Sequence, residues 1–441
     1  MLDFWIQFAL VLTAILIGIR RGGLALGLIG GLGVTVLSFG FRVAPQEPPI
    51  TVMLIILAVV TASATLQVAG GLDWLVQQAE RLMRKHPQQI TLLAPLSTFL
   101  LTVCVGTGHA VYSLLPVIAD VALKTKIRPE RPMAVASIAS QMGITASPVA
   151  AAVTTFLAMT AKTDAPVTMA QILMVTLPAG IIGILAAAFW SMNRGLDLDQ
   201  DPEFQERMKD PEFRATVEKS VTTLDKSLPQ SARLSVVLFF TGILTIVALA
   251  LYPNLFPLAK GKPIPMTTVV QLIMLSFGTF ILFAANIKAT AIAKSEVFTA
   301  GMIAVVSIFG IAWMSDTFVK ANETFLVEHI KAMVEYAPWT FALAMFAVSA
   351  FVKSQAATLT IMLPFGLSLG LSPQLLLGLM PSCYAYFFFA FYPSDLAAIN
   401  MDRSGTTRIG KYLLNHSFMI PGWIGVIVST IVAYGLAQIY F

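Results

Sequence analysis

The chain has 441 residues, of which 57% are hydrophobic and only 12% charged, with a formal net charge of +5. A typical soluble domain is about 25% charged, so this composition, with a mean hydropathy of +0.81, excludes a soluble globular protein and describes an all-α polytopic membrane protein. Cys104 and Cys383 lie far apart in apolar segments and offer neither a disulfide framework nor a metal-ligand spacing.

A membrane span needs about 20 apolar residues. The N-terminal stretch carries Arg20 and Arg21 after its apolar run rather than before it. It therefore reads as a first transmembrane helix, residues 4–19, and not as a cleaved signal peptide. Spans follow at 24–41 and 51–68. Residues 71–86 place Leu72, Leu75 and Leu82 around a polar face, the pattern of a helix lying on the membrane surface.

From 90 to 119 there is no Lys, Arg, Asp or Glu. As one helix this run would be about 45 Å long, against a hydrocarbon core of about 30 Å. Basic residues flank both ends (Arg81, Arg84 and Lys85; Lys124, Lys126 and Arg128), so both ends belong on the cytoplasmic side. The segment must turn inside the membrane, and Gly106, Thr107 and Gly108 supply the turn of a re-entrant hairpin. Non-helical backbone at that depth is tolerated where it lines a cavity or is buried in protein. The tip is expected to face a site.

Further spans are predicted at 132–159, interrupted by Gly143, Thr145, Ser147 and Pro148, and at 168–190. Residues 193–230 form a polar insert. Five acids between 197 and 206, followed by mixed charge, read as a solvated loop, helical in part. Spans resume at 234–251, 267–287 and 298–319. The run 339–379 is again too long for one crossing and holds Lys353, Ser354 and Gln355 in its interior. Superimposing Pro116 on Pro364 places Thr107 on Gln355. Residues 381–399 carry the break Pro393, Ser394 and Asp395, and the last span is 413–440.

With the N-terminus outside, the basic residues sort. The inside loops hold Arg20, Arg21, Arg81, Arg84, Lys85, Lys124, Lys126, Arg128, Arg131, Lys288, Lys294, Arg403, Arg408 and Lys411 besides the insert. The outside loops hold Arg42, Lys162, Lys260, Lys262, Lys320 and Lys331. Each half reads three helices, a hairpin, a broken helix and a helix, with opposite topology. The expected architecture is two inverted repeats, 1–192 and 231–441, joined by the loop 193–230. About ten transmembrane helices accompany two re-entrant hairpins, near 88–123 and 338–379, and two broken helices, 132–160 and 380–400. Such interrupted helices at corresponding positions mark a secondary transporter with its site at mid-membrane.

The breaks leave unpaired N–H groups at half-helix N-termini, which attract anions. Two opposed ends suit a substrate with two anionic groups. Lys353 is the one cation placed at membrane depth, where a charge costs about 2.5–3.5 kcal/mol on insertion scales. It either grips a substrate carboxylate, pairs structurally with Asp395 or snorkels. Asp395 binds a proton or sodium ion, grips a substrate ammonium, or holds Lys353. His109 donates to a carboxylate or is a packing residue. Thr107, Gly108, Thr145, Ser147, Ser354, Gln355 and Ser394 complete the candidate substrate site. Arg128 and Arg131 read as topology anchors or gate contacts, and the aromatic run Tyr384 to Tyr392 as helix packing. No HExxH, GxSxG, Walker loop or Cys/His cluster is present. No metal or cofactor is therefore expected. An intramembrane enzyme using His109 or Lys353 as base is the class alternative, and a channel fits the interrupted helices less well than alternating access.

The stretches RRGGLALGLIGGLGV, ASATLQVAGGLDWLVQQAE, GTGHAVYSLLPVI, IRPERPMAVASIASQMGITASPVA and YPSDLAAI…DRSGTTRIGKYLLNHSF resemble the anaerobic C4-dicarboxylate transporter (Dcu) family of Gram-negative bacteria, from the first helix to the last. The resemblance implies an inner-membrane carrier that exchanges external fumarate, malate or aspartate for internal succinate, or imports dicarboxylates with cations. It implies the ion-transporter superfamily fold, in which a scaffold domain, often homodimeric, carries a mobile domain with two hairpins. It also implies a possible partner, a dicarboxylate-sensing histidine kinase, with Lys353 and Asp395 matching positions implicated in that regulation. No nucleic-acid partner is implied.

Overall fold

The computed structural model describes residues 2–21, 24–161, 163–252, 255–259, 261–322, 324–325, 336–389, 392–410 and 414–441. Lys162, Lys260, Lys331 and Lys411, sorted by charge above, and residue 413, where the last span was expected to begin, lie outside them.

A bilayer offers the backbone no hydrogen-bond partner, so a chain this apolar satisfies itself internally as helices. In chain order these are α1 (Leu2–Arg21), α2 (Ala25–Thr35, continued by a π turn at Val36–Gly40), α3 (Ile50–Val68), α4 (Gly71–Lys85), α5 (Ile90–Val105), α6 (Val111–Lys124), α7 (Glu130–Met142), α8 (Ala151–Thr160) and α9 (Met169–Met192). The insert contributes α10 (Pro202–Arg207) and α11 (Pro211–Glu218). Then come α12 (Gln230–Leu251), α13 (Met266–Ala284), α14 (Ala289–Ala293), α15 (Glu296–Ala321), α16 (Trp339–Val352), α17 (Gln355–Ser368), α18 (Pro373–Leu379), α19 (Pro393–Met401) and α20 (Met419–Tyr440). The last helix thus starts six residues later than 413. Two two-residue strands, Leu258–Ala259 and Lys262–Pro263, pair antiparallel.

Among the described residues, eight helices are long and apolar enough to cross a membrane, or nine if the bent pair Pro373–Phe389 and Pro393–Met401 is one span. Asp3–Gly18, Ala25–Gly40 and Trp339–Val352 are shorter apolar helices. Large apolar side chains left exposed, such as Leu28, Leu244, Phe283 and Ile431, lie on α2, α12, α13 and α20, the faces available to lipid. By contrast, every residue of α7 except Arg131 is buried, which makes it the centre of the molecule. Helices α2 and α15 cross at backbone contact: a Cβ on Gly310 would stand 1.7 Å from the Gly27 carbonyl oxygen. Only glycine permits that approach.

Elements predicted on the same side are bonded to one another. Of those predicted outside, Gln46 N–H donates to Thr317 Oγ1, Asn322 donates to Gln7, and Gln374 donates to the Ala165 carbonyl. The polar insert is largely exposed and helical in part, and it is also pinned to other elements by ion pairs. Arg128 pairs with Glu130 and Asp201, Arg131 with Asp197, and Arg194 with Glu130. Asp120 at the foot of α6 pairs with Arg84, Lys124 and Arg403, and accepts from the Val221 N–H. Asp197 and Asp201 find their bases at Arg131 and Arg128, which a local run of mixed charge does not reveal, whereas Glu206 pairs locally with Lys209. Helix α4 departs from expectation. Leu82 is exposed, while Leu72, Val76 and Met83 are buried together with Gln77 and Glu80. Those two polar side chains bind the insert: Gln77 donates to the carbonyls of Thr223 and Lys226, and Glu80 accepts from Thr222 and Thr223. Its polar face is thus docked on protein.

Candidate functional site

Three of the four breaks fall where the apolar periodicity was interrupted. In the fourth, Pro393, Ser394 and Asp395 begin α19 and the stretch without α-helix precedes them, at 380–389 among the described residues, while the two hairpins share one construction. In the first, Gly106 ends α5 in the left-handed conformation (φ 82°), and Thr107 is extended (φ −142°, ψ 137°). Thr107 caps the next turn, accepting from the His109 N–H at 3.4 Å. In the second, Lys353 ends α16 in the left-handed conformation (φ 54°), and Ser354 is extended (φ −152°, ψ 120°). Ser354 caps α17, accepting from the Ala357 N–H at 3.3 Å. The cap geometry therefore equates Thr107 with Ser354. The proline superposition, which paired Thr107 with Gln355, is off by one. Hairpin one begins with a 3₁₀ turn, Gly108–Ala110, where hairpin two passes straight into α-helix.

The breaks meet at one cavity of about 480 Å³. Val105, Gly106, Thr107 and His109 line it from hairpin one, and Lys353, Ser354 and Gln355 from hairpin two. Ile144 and Val149 come from the first broken helix, Tyr386, Tyr392 and Pro393 from the second. Helix α15 forms the facing wall with Ala300, Gly301, Ala304 and Ser307. Thr107 and His109 also line a smaller adjoining space of about 190 Å³ with Asp73, Tyr112 and Glu296. The His109 ring meets Tyr112 edge-on at 5.7 Å.

The remaining candidates lie off the main cavity. Gly108 is packed against the Gln141 amide. The Thr145 hydroxyl donates to the Met142 carbonyl at 3.0 Å and that of Ser147 to the Val103 carbonyl at 2.7 Å, so both hydroxyls satisfy backbone freed by the breaks. Ser394 and Asp395 sit behind Pro393, in a buried network that the sequence did not single out. Ser137 Oγ donates to Asp395 Oδ1 at 2.7 Å and lies 3.0 Å from Ser394 Oγ. Gln141 Nε2 reaches Ser394 Oγ at 3.5 Å. Tyr386 Oη donates to Gln141 Oε1 at 3.0 Å, and Gln355 Nε2 donates to the Gln141 carbonyl at 2.7 Å and to Tyr386 Oη at 3.2 Å. Tyr386 and Tyr392, read above as packing, thus belong to the site. The available signal was Ser137, Ser140 and Gln141, three polar side chains in the stretch of α7 that is otherwise apolar, after Glu130 and Arg131 at its start.

A cation, two capped half-helix starts, a histidine and phenol and hydroxyl donors around one cavity can hold a small anion. Among the described residues no group of three or more His, Cys, Asp or Glu side chains is placed to hold a metal ion. The fold is shared with two solved transporters. One is the YdaH transporter of Alcanivorax borkumensis (TM-score 0.55, 13% identity, covering 87% of this chain and 84% of that one). The other is MtrF of Neisseria gonorrhoeae, described with a class of antimetabolite efflux pumps (TM-score 0.54, 12% identity, covering 94% and 84%). The class defined is a multi-pass membrane transporter, not an enzyme.

Residues 3–441 match the family DcuA_DcuB, the anaerobic C4-dicarboxylate membrane transporters, and the chain belongs to that family. It is 45% identical over 441 residues to the anaerobic C4-dicarboxylate transporter DcuB of Shigella flexneri, covering 99% of each chain. It is 38% identical over 435 residues to the C4-dicarboxylate transporter DcuA of Wolinella succinogenes, covering 98% of this chain and 99% of that one. The protein is a multi-pass protein of the bacterial inner membrane.

Proposed function

We propose that the chain carries C4-dicarboxylates, exchanging external fumarate, malate or aspartate for internal succinate by alternating access. The observation that carries this reading is the arrangement of the two hairpin tips: the start of each second half-helix, capped by Thr107 or Ser354, borders one cavity that also holds Lys353. Each N-terminus favours negative charge by roughly 0.3–1 kcal/mol at a surface and up to about 2 when partly buried. A dianion with its carboxylates at opposite ends uses both. In this reading Thr107, His109, Lys353, Ser354 and Gln355 touch the substrate. Gly108, Thr145, Ser147, Ser394 and Asp395 hold the breaks in shape behind them. The two halves, 1–192 and 231–441, act as inverted repeats joined by 193–230. A homodimer and a sensor histidine kinase as partners rest on the family resemblance.

Counterflow tests it. Proteoliposomes loaded with succinate are expected to take up radiolabelled fumarate or aspartate, with unlabelled malate competing and acetate or lactate not. Equal competition by acetate would reduce the site to one anion and remove the two-ended argument.

A further inference from the structure

Away from the dicarboxylate cavity, and sharing no lining residue with it, a space of about 600 Å³ lies between α4 and the junction of the insert with α12. Trp74, Gln77 and Arg81 line it from one face of α4, and Lys226 and Arg233 line it from the insert and from α12. None of the lining residues is acidic. Lys226 is held by Asp73 at 2.6 Å. Arg81 and Arg233 are exposed and make no ion pair with the described residues. By contrast Arg84, Arg128, Arg131 and Arg194 are all paired with carboxylates. The start of α12 has no side-chain cap and borders the same space, adding partial positive charge to it.

The position of this space in the membrane follows from α12, which is long and apolar enough to cross over Gln230–Leu249. Its first turns stand where hydrocarbon gives way to headgroups. Trp74 suits that boundary, where indole rings collect. From Arg233 an exposed stripe continues along the span at helical spacing through Val237, Thr241, Leu244 and Ala248. Val237 is 53% and Leu244 66% exposed, a face available to lipid. We propose that this space binds the headgroup of an anionic phospholipid, with Arg81 and Arg233 on the phosphate and the acyl chains laid along the stripe below Arg233. A guanidinium matches phosphate with two parallel N–H bonds, and basic pockets beside membrane helices take such headgroups. A choline or ethanolamine headgroup would set its own cation among these basic side chains, whereas phosphatidylglycerol brings only the negative charge. Arginines alone would serve a soluble phosphate equally well. The apolar stripe leading away from Arg233 is what favours the lipid.

The test titrates the purified full chain in mild detergent with lipid and follows the bound copies by native mass spectrometry. Phosphatidylglycerol is expected to bind about tenfold more tightly, or better, than phosphatidylcholine with the same acyl chains. Arg81→Gln/Arg233→Gln is expected to lose most of that preference. Lys288→Gln/Lys294→Gln removes the same charge from two exposed lysines of another loop and is expected to keep it. Inorganic phosphate at the concentration of the lipid is expected neither to displace phosphatidylglycerol nor to raise the melting temperature. Equal affinity for the two lipids in the unaltered protein overturns the proposal without recourse to any variant. So does a preference that survives in the arginine variant. A preference lost equally in the lysine variant reduces the effect to general charge attraction and likewise overturns it. Displacement of the lipid by inorganic phosphate assigns the space to a soluble phosphate compound and overturns the lipid assignment.

Discussion

The two hairpin tips solve the same problem with different residues. Each must end one helix and start another within two residues at membrane depth, and each does so with a left-handed cap followed by an extended hydroxyl residue. Hairpin one uses Gly106, the inexpensive choice for positive φ. Hairpin two uses Lys353, for which the left-handed region is strained. An observed strain of this kind is a reason to look for function at that residue. The backbone at this tip would be better served by glycine, so what remains to explain lysine is its charge. Hairpin one is constrained differently. A Cβ on Gly106 would stand 2.7 Å from the Val149 carbonyl oxygen, so that tip is wedged against the broken helix and has no room for a side chain.

The sharpest way to break this comparison is to exchange the requirements. Gly106→Ala combines a left-handed penalty of about 1–2 kcal/mol with a backbone clash that no rotamer relieves. It is expected to lose most folded, monodisperse protein in detergent, read by fluorescence size exclusion. A normal yield with normal exchange would show that hairpin one is not wedged.

Lys353→Gly should do the reverse. It relieves a left-handed penalty of about 1–2 kcal/mol and is expected to raise the melting temperature. It also removes a charge-assisted contact worth about 1.5–3 kcal/mol, so exchange efficiency should fall by roughly 10- to 100-fold. A stable variant that transports poorly is the signature of strain kept for binding. The double variant Lys353→Gln/Asp395→Asn separates this from a structural ion pair: recovery of the exchange that Lys353→Gln lost would assign Lys353 to the pair and not to the substrate.

Legibility in the sequence followed locality. The hairpin breaks were visible because Gly, Thr and Lys interrupt runs too long for one span; the run 90–119 resolves into two half-helices, and the run 339–379 into two half-helices followed by α18. Lys353 stood out because a lone cation in an apolar run is rare. The register between hairpins was misread because prolines were matched instead of caps, and the extra 3₁₀ turn after Thr107 changes the spacing to Pro116. Ser137 and Gln141 escaped notice because serine and glutamine in membrane helices often bond their own backbone, and only the fold brings them to Ser394 and Asp395, more than 250 positions away in sequence. The bonds that pin the insert were not legible for the same reason, since its partners Arg128, Arg131 and Glu80 are remote.

That insert supplies the last and smallest contrast. Hairpin one is strapped at its base: Asp120 and Lys124 of α6 are bonded to Arg403, Val221 and Ser220, and Arg84 links Asp120 to Glu80. Glu80 is fully buried and accepts from Arg84 Nε at 2.7 Å, Thr222 Oγ1 at 2.7 Å and the Thr223 N–H at 2.8 Å. Burial alone would raise its pKa, but the hydrogen bonds from Thr223, Thr222 and Arg84 together outweigh it and hold the carboxyl below its ordinary 4.5. A carboxylate depressed in the folded state adds stability that is complete above the ordinary value and is lost as pH falls from there through the folded value. Hydrogen–deuterium exchange at residues 221–224, corrected for intrinsic rates, is therefore expected to be slow and pH-independent near neutrality and to speed up in acid, below 4.5. Glu80→Gln keeps the shape and loses the charge. At neutral pH it should speed exchange at those amides by about tenfold, the equivalent of about 1.4 kcal/mol, and flatten the acid response, with dicarboxylate exchange preserved because the hairpin tips are untouched. Unchanged protection in Glu80→Gln would mean that Gln77 and the Asp120 cluster hold the strap without Glu80, and that the base of hairpin one is secured at more points than its tip.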